Sequence, residues 1–378
     1  MTGSRFAIFL ITVLSIWGVM HAYVFWRLAS LPWVANHCSR RVLVTVAVVL
    51  WASYPLGRML DSWNLQAIAW PIEYVGANWI GLLFLLFCAL LFTDVVTLGG
   101  WLVPRFALKV RSVAVMVAAG LALIALVQAL RPPVVRDYEV RLPGLPKERD
   151  GLVLVQLSDL HLGTLLGRRW MAGMVERVNQ MRPDLVVIVG DLVDGNVGRV
   201  EPLQPVLERL RAPQGVWAVT GNHEYYAGAD RSVRLFEEAG YSVLRDRSAQ
   251  VVPGLVIAGV DDLTVKQQYG GSQDKSMEKA LTQRPPGATI LLSHTPWQAE
   301  QAAMAGVDLM LSGHTHNGQI WPFSYLVARR YPLLGGRYQV RDMTVIVCRG
   351  TGTWGPRMRL WWPSEIVRIK LRAGDDPR

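Results

Sequence analysis

Val307-Asp308-Leu309-Met310-Leu311-Ser312-Gly313-His314-Thr315-His316-Asn317-Gly318 is an apolar run that stops on two histidines two residues apart. A short apolar run ended by Gly and turn formers predicts a buried strand. Both imidazoles then stand at the carboxyl end of that strand, where open α/β sheets keep their ligands. Taken alone, Gly-His-x-His is also an ordinary loop sequence. The placement of the other histidines decides between the two readings.

Working outward, the chain from Gly151 alternates apolar runs with amphipathic segments, the pattern of an α/β domain. Strands are expected at 152–157, 184–189, 215–219, 255–260, 289–292, 344–348 and 365–371, with shorter ones at 241–244 and 249–252. Helices are expected at 169–181, 203–211, 231–239, 275–281 and 297–304. Five strand ends carry residues able to bind metal: Asp159 and His161; Asp191; Asn222 and His223; His294; His314 and His316. The chain has seven histidines, and the other two, His21 and His37, lie far upstream. Asp and Asn are common turn residues, but turn chemistry gives no reason for every histidine of this half to fall at a strand end. Imidazole with carboxylate suits Zn, Mn or Fe better than Ca or Mg. The set is too large for one tetrahedral ion. Two ions sharing one carboxylate need seven or eight positions, and seven remain when His223 is set aside.

Asp159-x-His161, Gly190-Asp191, Gly221-Asn222-His223-Glu224, His294 and Gly313-His314-x-His316 resemble, in this order, the five motifs of the calcineurin-like metallophosphoesterases. The flanks (Ser293-His294-Thr295-Pro296, Asn317-Gly318-Gln319-Ile320, Arg349-Gly350-Thr351-Gly352) look like the bacterial YkuE/YaeI-like branch. The resemblance covers residues 151 to about 320 and implies a four-layer αββα sandwich. It further implies that one ion takes Asp159, His161, Asp191 and His316. The other takes Asp191, Asn222, His294 and His314, with Asp191 shared. A metal-bridging hydroxide would attack phosphorus, and His223, which binds neither ion, would protonate the leaving oxygen.

Around this set, Asp194 and Asn196 either support the ligands from behind or form a Val-Asp-Gly-Asn turn, the favoured reading, and Asp261-Asp262 reads as another turn. Glu224 either orients His223 or opens the following segment. Arg349, Arg357 and Arg359 either meet substrate phosphate or, the favoured reading, form solvated surface, and Trp354, Trp361 and Trp362 read as core packing or lipid contact.

The first 130 residues are of a different kind. Uncharged or nearly uncharged runs occupy 6–26, 42–57, 76–93 and 113–130, with Trp26, Trp33, Trp63, Trp70, Trp79 and Trp101 near their ends. About 20 apolar residues cross a bilayer and Trp marks its interfaces, so four transmembrane helices are expected over 1–130. Glu73, Asp94 and Arg58 lie near span ends, which predicts no buried ionisable network and argues against a transporter. Arg27, Arg40, Arg41, Arg105, Lys109 and Arg111 follow spans one and three. Positive loops stay cytoplasmic, which places the C-terminal domain on the non-cytoplasmic side of a bacterial inner membrane. Residues 131–150, with four prolines, read as a linker containing an extended stretch over 134–142.

The net charge of +10 is divided evenly between the two parts, with no concentrated basic block, so nucleic acid is not an expected partner. Three cysteines exclude a disulfide framework. The expected protein is an all-α membrane region (1–130), a linker (131–150) and an α/β metallophosphoesterase domain (151–378). It holds two divalent ions (Mn, Fe or Zn) and acts at the bilayer on a phosphoester substrate, a diester rather than a monoester, of lipid or cell-envelope origin. The competing reading is a membrane sensor or scaffold that binds metal without turnover.

Overall fold

The computed structural model describes residues 3–101, 103–269 and 275–374. Of the expected domain spans, residues 1–2, 102, 270–274 and 375–378 lie outside the described residues. The chain divides into two compact units, 1–131 with 355–361 and 132–354 with 362–378.

The first unit is helical: α1 (Gly3–Ala29), α2 (Pro32–His37), α3 (Arg40–Ser62), α4 (Gln66–Thr97) and α5 (Pro104–Leu130). Four stretches span the membrane: Ile11–Ala29, Arg40–Ser62, Gln66–Gly100 and Pro104–Leu130. At 32 residues, α4 is about 48 Å long, more than the hydrocarbon core requires, so its last turn can carry charge. There Asp94 accepts hydrogen bonds from Tyr23 Oη (2.6 Å) and Arg111 Nε (2.9 Å), with Arg27 Nε 2.5 Å away. Glu73 is buried and accepts from Arg58 Nη1 at 3.2 Å. The expectation of no buried ionisable network is therefore corrected. Arg27 and Arg111 count as loop charges in the sequence, but α1 and α5 run far enough to bring both onto Asp94. The segment 355–361 belongs to this unit too. The backbone N–H of Arg359 donates to the Ala125 carbonyl (2.9 Å), and the Arg357 and Arg359 side chains are buried. Neither is the solvated residue the sequence suggests.

The second unit contains β1 (Val134–Leu142), β2 (Val153–Leu157), α6 (Arg168–Gln180), β3 (Leu185–Val189), α7 (Gln204–Leu207), β4 (Val216–Val219), α8 (Asn222–Ala227), α9 (Ala229–Glu238), β5 (Ser242–Val243), β6 (Arg247–Val252), β7 (Gly254–Gly259), α10 (Leu263–Tyr269), α11 (Ser276–Thr282), β8 (Gly287–Leu292), α12 (Ala299–Met304), β9 (Leu309–Ser312), α13 (Ser324–Arg330), β10 (Gly336–Val340), β11 (Met343–Val347) and β12 (Glu365–Ala373). One sheet has the order β1-β12-β2-β3-β4-β5, the other β10-β11-β9-β8-β7-β6. The extended stretch at 134–142 is thus no free linker. It pairs parallel with β12 along all nine residues. It reads as linker because prolines surround it and its partner lies more than 200 residues away.

Period-2 alternation sorts the strands' side chains into layers. Leu154, Val187 and Val189 meet Ile290, Leu309 and Leu311 between the two sheets. Val155, Val186 and Ile188 face Met171, Val175 and Phe236 of α6 and α9. Leu291, Met310 and Val345 face Met277, Ala280 and Ala302 of α11 and α12. The result is the αββα sandwich. Its central parallel strands β2, β3, β4, β8 and β9 each end in a loop carrying a candidate ligand.

Candidate metal centre

The loops after β2, β3 and β9 leave ordinary backbone geometry at the residues of interest. Asp159, His161, Asp191, His314 and His316 all have positive φ, between 47° and 68°. For non-glycine residues this costs on the order of 1–3 kcal/mol each and persists only where the surroundings over-determine it. Here the loops brace one another through their backbones. Asp159 N–H donates to Gly190 O (3.1 Å), His161 N–H to Asp191 O (2.9 Å), Gly313 N–H to His294 O (2.9 Å) and Gly352 N–H to Asp159 O (2.9 Å). Two glycines are required by close approach. A Cβ on Gly313 would sit 1.9 Å from Ser158 Oγ, and one on Gly221 would sit 2.2 Å from Asp191 Oδ1.

Two clusters result. Asp159, His161 and His316 present ligand atoms within 4.8 Å of one another, and so do Asp191, His294 and His314. His161 Nε2 and His316 Nε2 are 3.0 Å apart, and His316 Nε2 is 3.4 Å from Asp159 Oδ1. His161 Nε2 also lies 3.8 Å from Asp191 Oδ2, so Asp191 stands between the clusters. On the far side, His294 Nε2 is 3.1 Å from Asp191 Oδ2 and 3.2 Å from His314 Nδ1. The outer nitrogens are held elsewhere: His294 Nδ1 by the Val189 carbonyl (2.8 Å), His314 Nε2 by Tyr331 Oη (2.8 Å). Such outer partners fix the orientation of each ring.

The donor set fits metal. Facing imidazole nitrogens at 3.0 Å repel unless a proton or a cation lies between them. Asn222 Oδ1 and His161 Nδ1 are buried without a hydrogen-bond partner among the described residues, a costly condition for polar atoms unless a ligand completes it. Burial, with the charge of His223, brings His161 down to about 3; burial, with the charge of His294, brings His314 down to about 4. Both imidazoles are therefore neutral at pH 7, the form that binds metal. Burial would raise the Asp191 carboxyl, but His294 and His223 outweigh it and hold it well below the usual range, an anion between two groups of imidazoles.

His223 forms a third group with His161 and Asp194, whose ligand atoms also lie within 4.8 Å of one another. Its backbone N–H donates to Asp191 Oδ1 (2.9 Å) from the first turn of α8, and its Nδ1 meets Asp194 Oδ1 at 2.9 Å. Burial would lower this imidazole, but the charges of Asp191 and Asp194 and the Asp194 hydrogen bond raise it to about 9. Its ring meets His161 (4.7 Å between centroids), Tyr226 (5.5 Å) and Trp354 (5.8 Å) edge-on.

Several surrounding residues differ from their expected roles. Asp194 is more than a turn residue, because it holds His223. Glu224 neither orients His223 nor merely opens a helix. It is fully buried and accepts the backbone N–H groups of Gly221 (2.7 Å), Asp191 (2.9 Å) and Val193 (3.0 Å), tying two ligand loops together. Asp262 caps α10 and takes the Thr295 hydroxyl beside His294. Arg349 is ion-paired with Glu365 (3.2 Å), not solvated. Trp354 is an exposed ring beside His223 rather than core.

Comparison with known proteins agrees with this geometry. Residues 152–318 match the family described as "Calcineurin-like phosphoesterase". An uncharacterized metallophosphoesterase of Aquifex aeolicus is 35% identical over 248 residues, which cover 63% of this chain and 92% of that protein.

The chain belongs to the calcineurin-like phosphoesterase family.

Within the family, it is 38% identical over 270 residues to a Danio rerio protein called "Transmembrane protein with metallophosphoesterase domain" (68% of this chain, 62% of that one). It is 36% identical over 248 residues to an uncharacterized metallophosphoesterase of Helicobacter pylori (65% of each). The chain thus spans less than two thirds of the length of these two relatives. This calcineurin-like phosphoesterase domain is attached to a multi-pass membrane anchor, and it contains two clusters suited to metal.

Proposed function

We propose that this chain is a membrane-anchored, metal-dependent phosphoesterase that prefers phosphodiesters to monoesters. The observation that carries the reading is the convergence of two buried ligand clusters on Asp191, with the His223–Asp194 pair at their edge. Asp159, His161, Asp191 and His316 would hold one divalent ion, and Asp191, Asn222, His294 and His314 the other. Bound there, the ions would acidify water and offset the charge of phosphate oxygens. The remaining work belongs to the protein. Asp194 keeps the proton on His223 Nδ1 and turns Nε2 toward the mouth, where it can protonate a leaving oxygen. The exposed rings of Trp354 and Tyr226 beside His223 offer a surface for the second substituent of a diester, which is the support for that preference.

Chelation followed by dialysis should abolish hydrolysis of bis-p-nitrophenyl phosphate by the detergent-purified protein, and adding back Mn, Fe or Zn singly should restore it. Restored binding without turnover, for every metal, would favour the silent sensor instead. Rates on p-nitrophenyl phosphate test the diester preference. The positive loops after spans one and three support a domain on the non-cytoplasmic side of a bacterial inner membrane. Protease added to spheroplasts should then digest the domain, and protection there would reverse the orientation.

A further inference from the structure

Between the last ligand loop and β10, the chain runs through the short helix α13. Helix α13 buries none of its residues. In the sequence Trp321-Pro322-Phe323-Ser324-Tyr325-Leu326, four large apolar side chains are exposed: Trp321 by 39%, Phe323 by 44%, Tyr325 by 67% and Leu326 by 55%. Among the described residues of the second unit, only Tyr226, Met304, Trp354 and Trp362 are comparably exposed large hydrophobics. Two of those four, Tyr226 and Trp354, are the rings beside His223. Half of the exposed large apolar side chains among this unit's described residues thus fall in one six-residue stretch, and a patch of this kind marks an interaction surface.

This segment is tied to the site at both ends. It starts five residues after His316 and closes on Tyr331, whose Oη is 2.8 Å from His314 Nε2. Gln319 holds Trp354 through two hydrogen bonds of 3.0 Å, from its Nε2 to the Trp354 carbonyl and from the Trp354 N–H to its Oε1. Arg329 and Arg330 follow the apolar residues on the exposed helix. Arg330 lies over the Trp297 ring (4.3 Å) and donates to Gln267, which fixes the helix end. Exposed Trp, Tyr, Phe and Leu beside arginines is the composition of a segment that lies in a membrane interface, with apolar side chains at the acyl boundary and cations among anionic headgroups. A protein or second-copy partner would also accept an apolar patch. The four spans of this same chain, however, confine it to a bilayer, and Arg329, exposed on the same helix, matches an anionic lipid surface.

We propose that residues 321–330 are a membrane-interface contact that seats the mouth of the site on an anionic lipid surface, so that the phosphoester taken carries an apolar tail. The substrate half of this statement rests on the phosphoesterase reading above, while the contact itself does not. The full chain, with Cys38 and Cys88 replaced by serine and Tyr325→Cys carrying a nitroxide, is placed in nanodiscs of phosphatidylcholine and phosphatidylglycerol. The label should be accessible to oxygen and shielded from a water-soluble nickel chelate, whereas a label at Met304→Cys should show the reverse. Equal exposure of both labels to the chelate overturns the contact, as does label–label coupling at 325 that reports a second copy. For the substrate, Phe323→Ser with Leu326→Ser should lower hydrolysis of a long-chain phosphodiester in vesicles by about tenfold or more, with little change for bis-p-nitrophenyl phosphate. Equal loss on both substrates overturns the seat. Wild-type protein inactive on both would instead count against the phosphoesterase reading, with the depth measurement still deciding the contact.

Discussion

Asp191→Ala should empty both metal positions and lower hydrolysis by more than about a thousandfold, since the ions' electrostatic contribution is worth several kcal/mol. Asp159 also touches the second cluster, its carboxylate accepting the His314 backbone N–H (3.0 and 3.1 Å), but Asp191 meets imidazole nitrogens of both, with its Oδ2 3.1 Å from His294 and 3.8 Å from His161. The side chain also accepts the His223 N–H, so alanine removes a loop contact together with a charge. Asp191→Asn separates the two effects, because it can keep the hydrogen bond to His223 while losing the shared anion. The expected order of metal content, measured by elemental analysis, is wild type, then Asp159→Asn with one ion, then both Asp191 variants near zero. Two equivalents of metal in folded Asp191→Ala would end the shared-ligand reading.

His223→Ala should give the opposite dissociation. Metal content stays near wild type, and turnover falls by about a hundredfold to ten-thousandfold, the usual range for losing a general acid. The imidazole touches the ligand set only edge-on, against the His161 ring (4.7 Å between centroids), and the backbone N–H that holds the Asp191 carboxylate is retained by alanine. Asp194→Asn should follow with a smaller loss, about ten- to a hundredfold, because the ring remains but its Nδ1 partner changes character. Activated esters provide the check. A leaving group that needs no proton should recover most of the rate in both variants. Normal turnover of an unactivated diester by His223→Ala would sink the acid role.

The residues that could be read from sequence alone are those whose chemistry is local. A histidine at the end of an apolar run announces itself, and Asp159, His161, Asp191, His294, His314 and His316 fall in the two clusters. The residues that escaped do their work at long range. Asp194 meets a histidine 29 positions away, and no local pattern distinguishes it from a turn residue. Glu224 acts on backbone N–H groups, which sequence does not display. Arg27, Asp94 and Arg111 stand in three different helices, and their meeting depends on how far each helix runs. The helix expected at 203–211 shrinks to Gln204–Leu207. The segment at 321–330 went unread because it answers to no core and so follows no burial pattern.

The pairing of β1 with β12 has a consequence for how the domain comes into being. Strand order places β12 between β1 and β2, so the strand synthesised first has no partner until the most C-terminal strand has been made. A growing chain must hold Val134–Leu142 unpaired while the rest of the sandwich forms, and only then add it as an edge. The same topology governs how the domain can be isolated. A fragment begun at Gly151 would expose the flank of β12 along nine residues, an invitation to edge-to-edge association, whereas one begun at Pro132 carries its own cover.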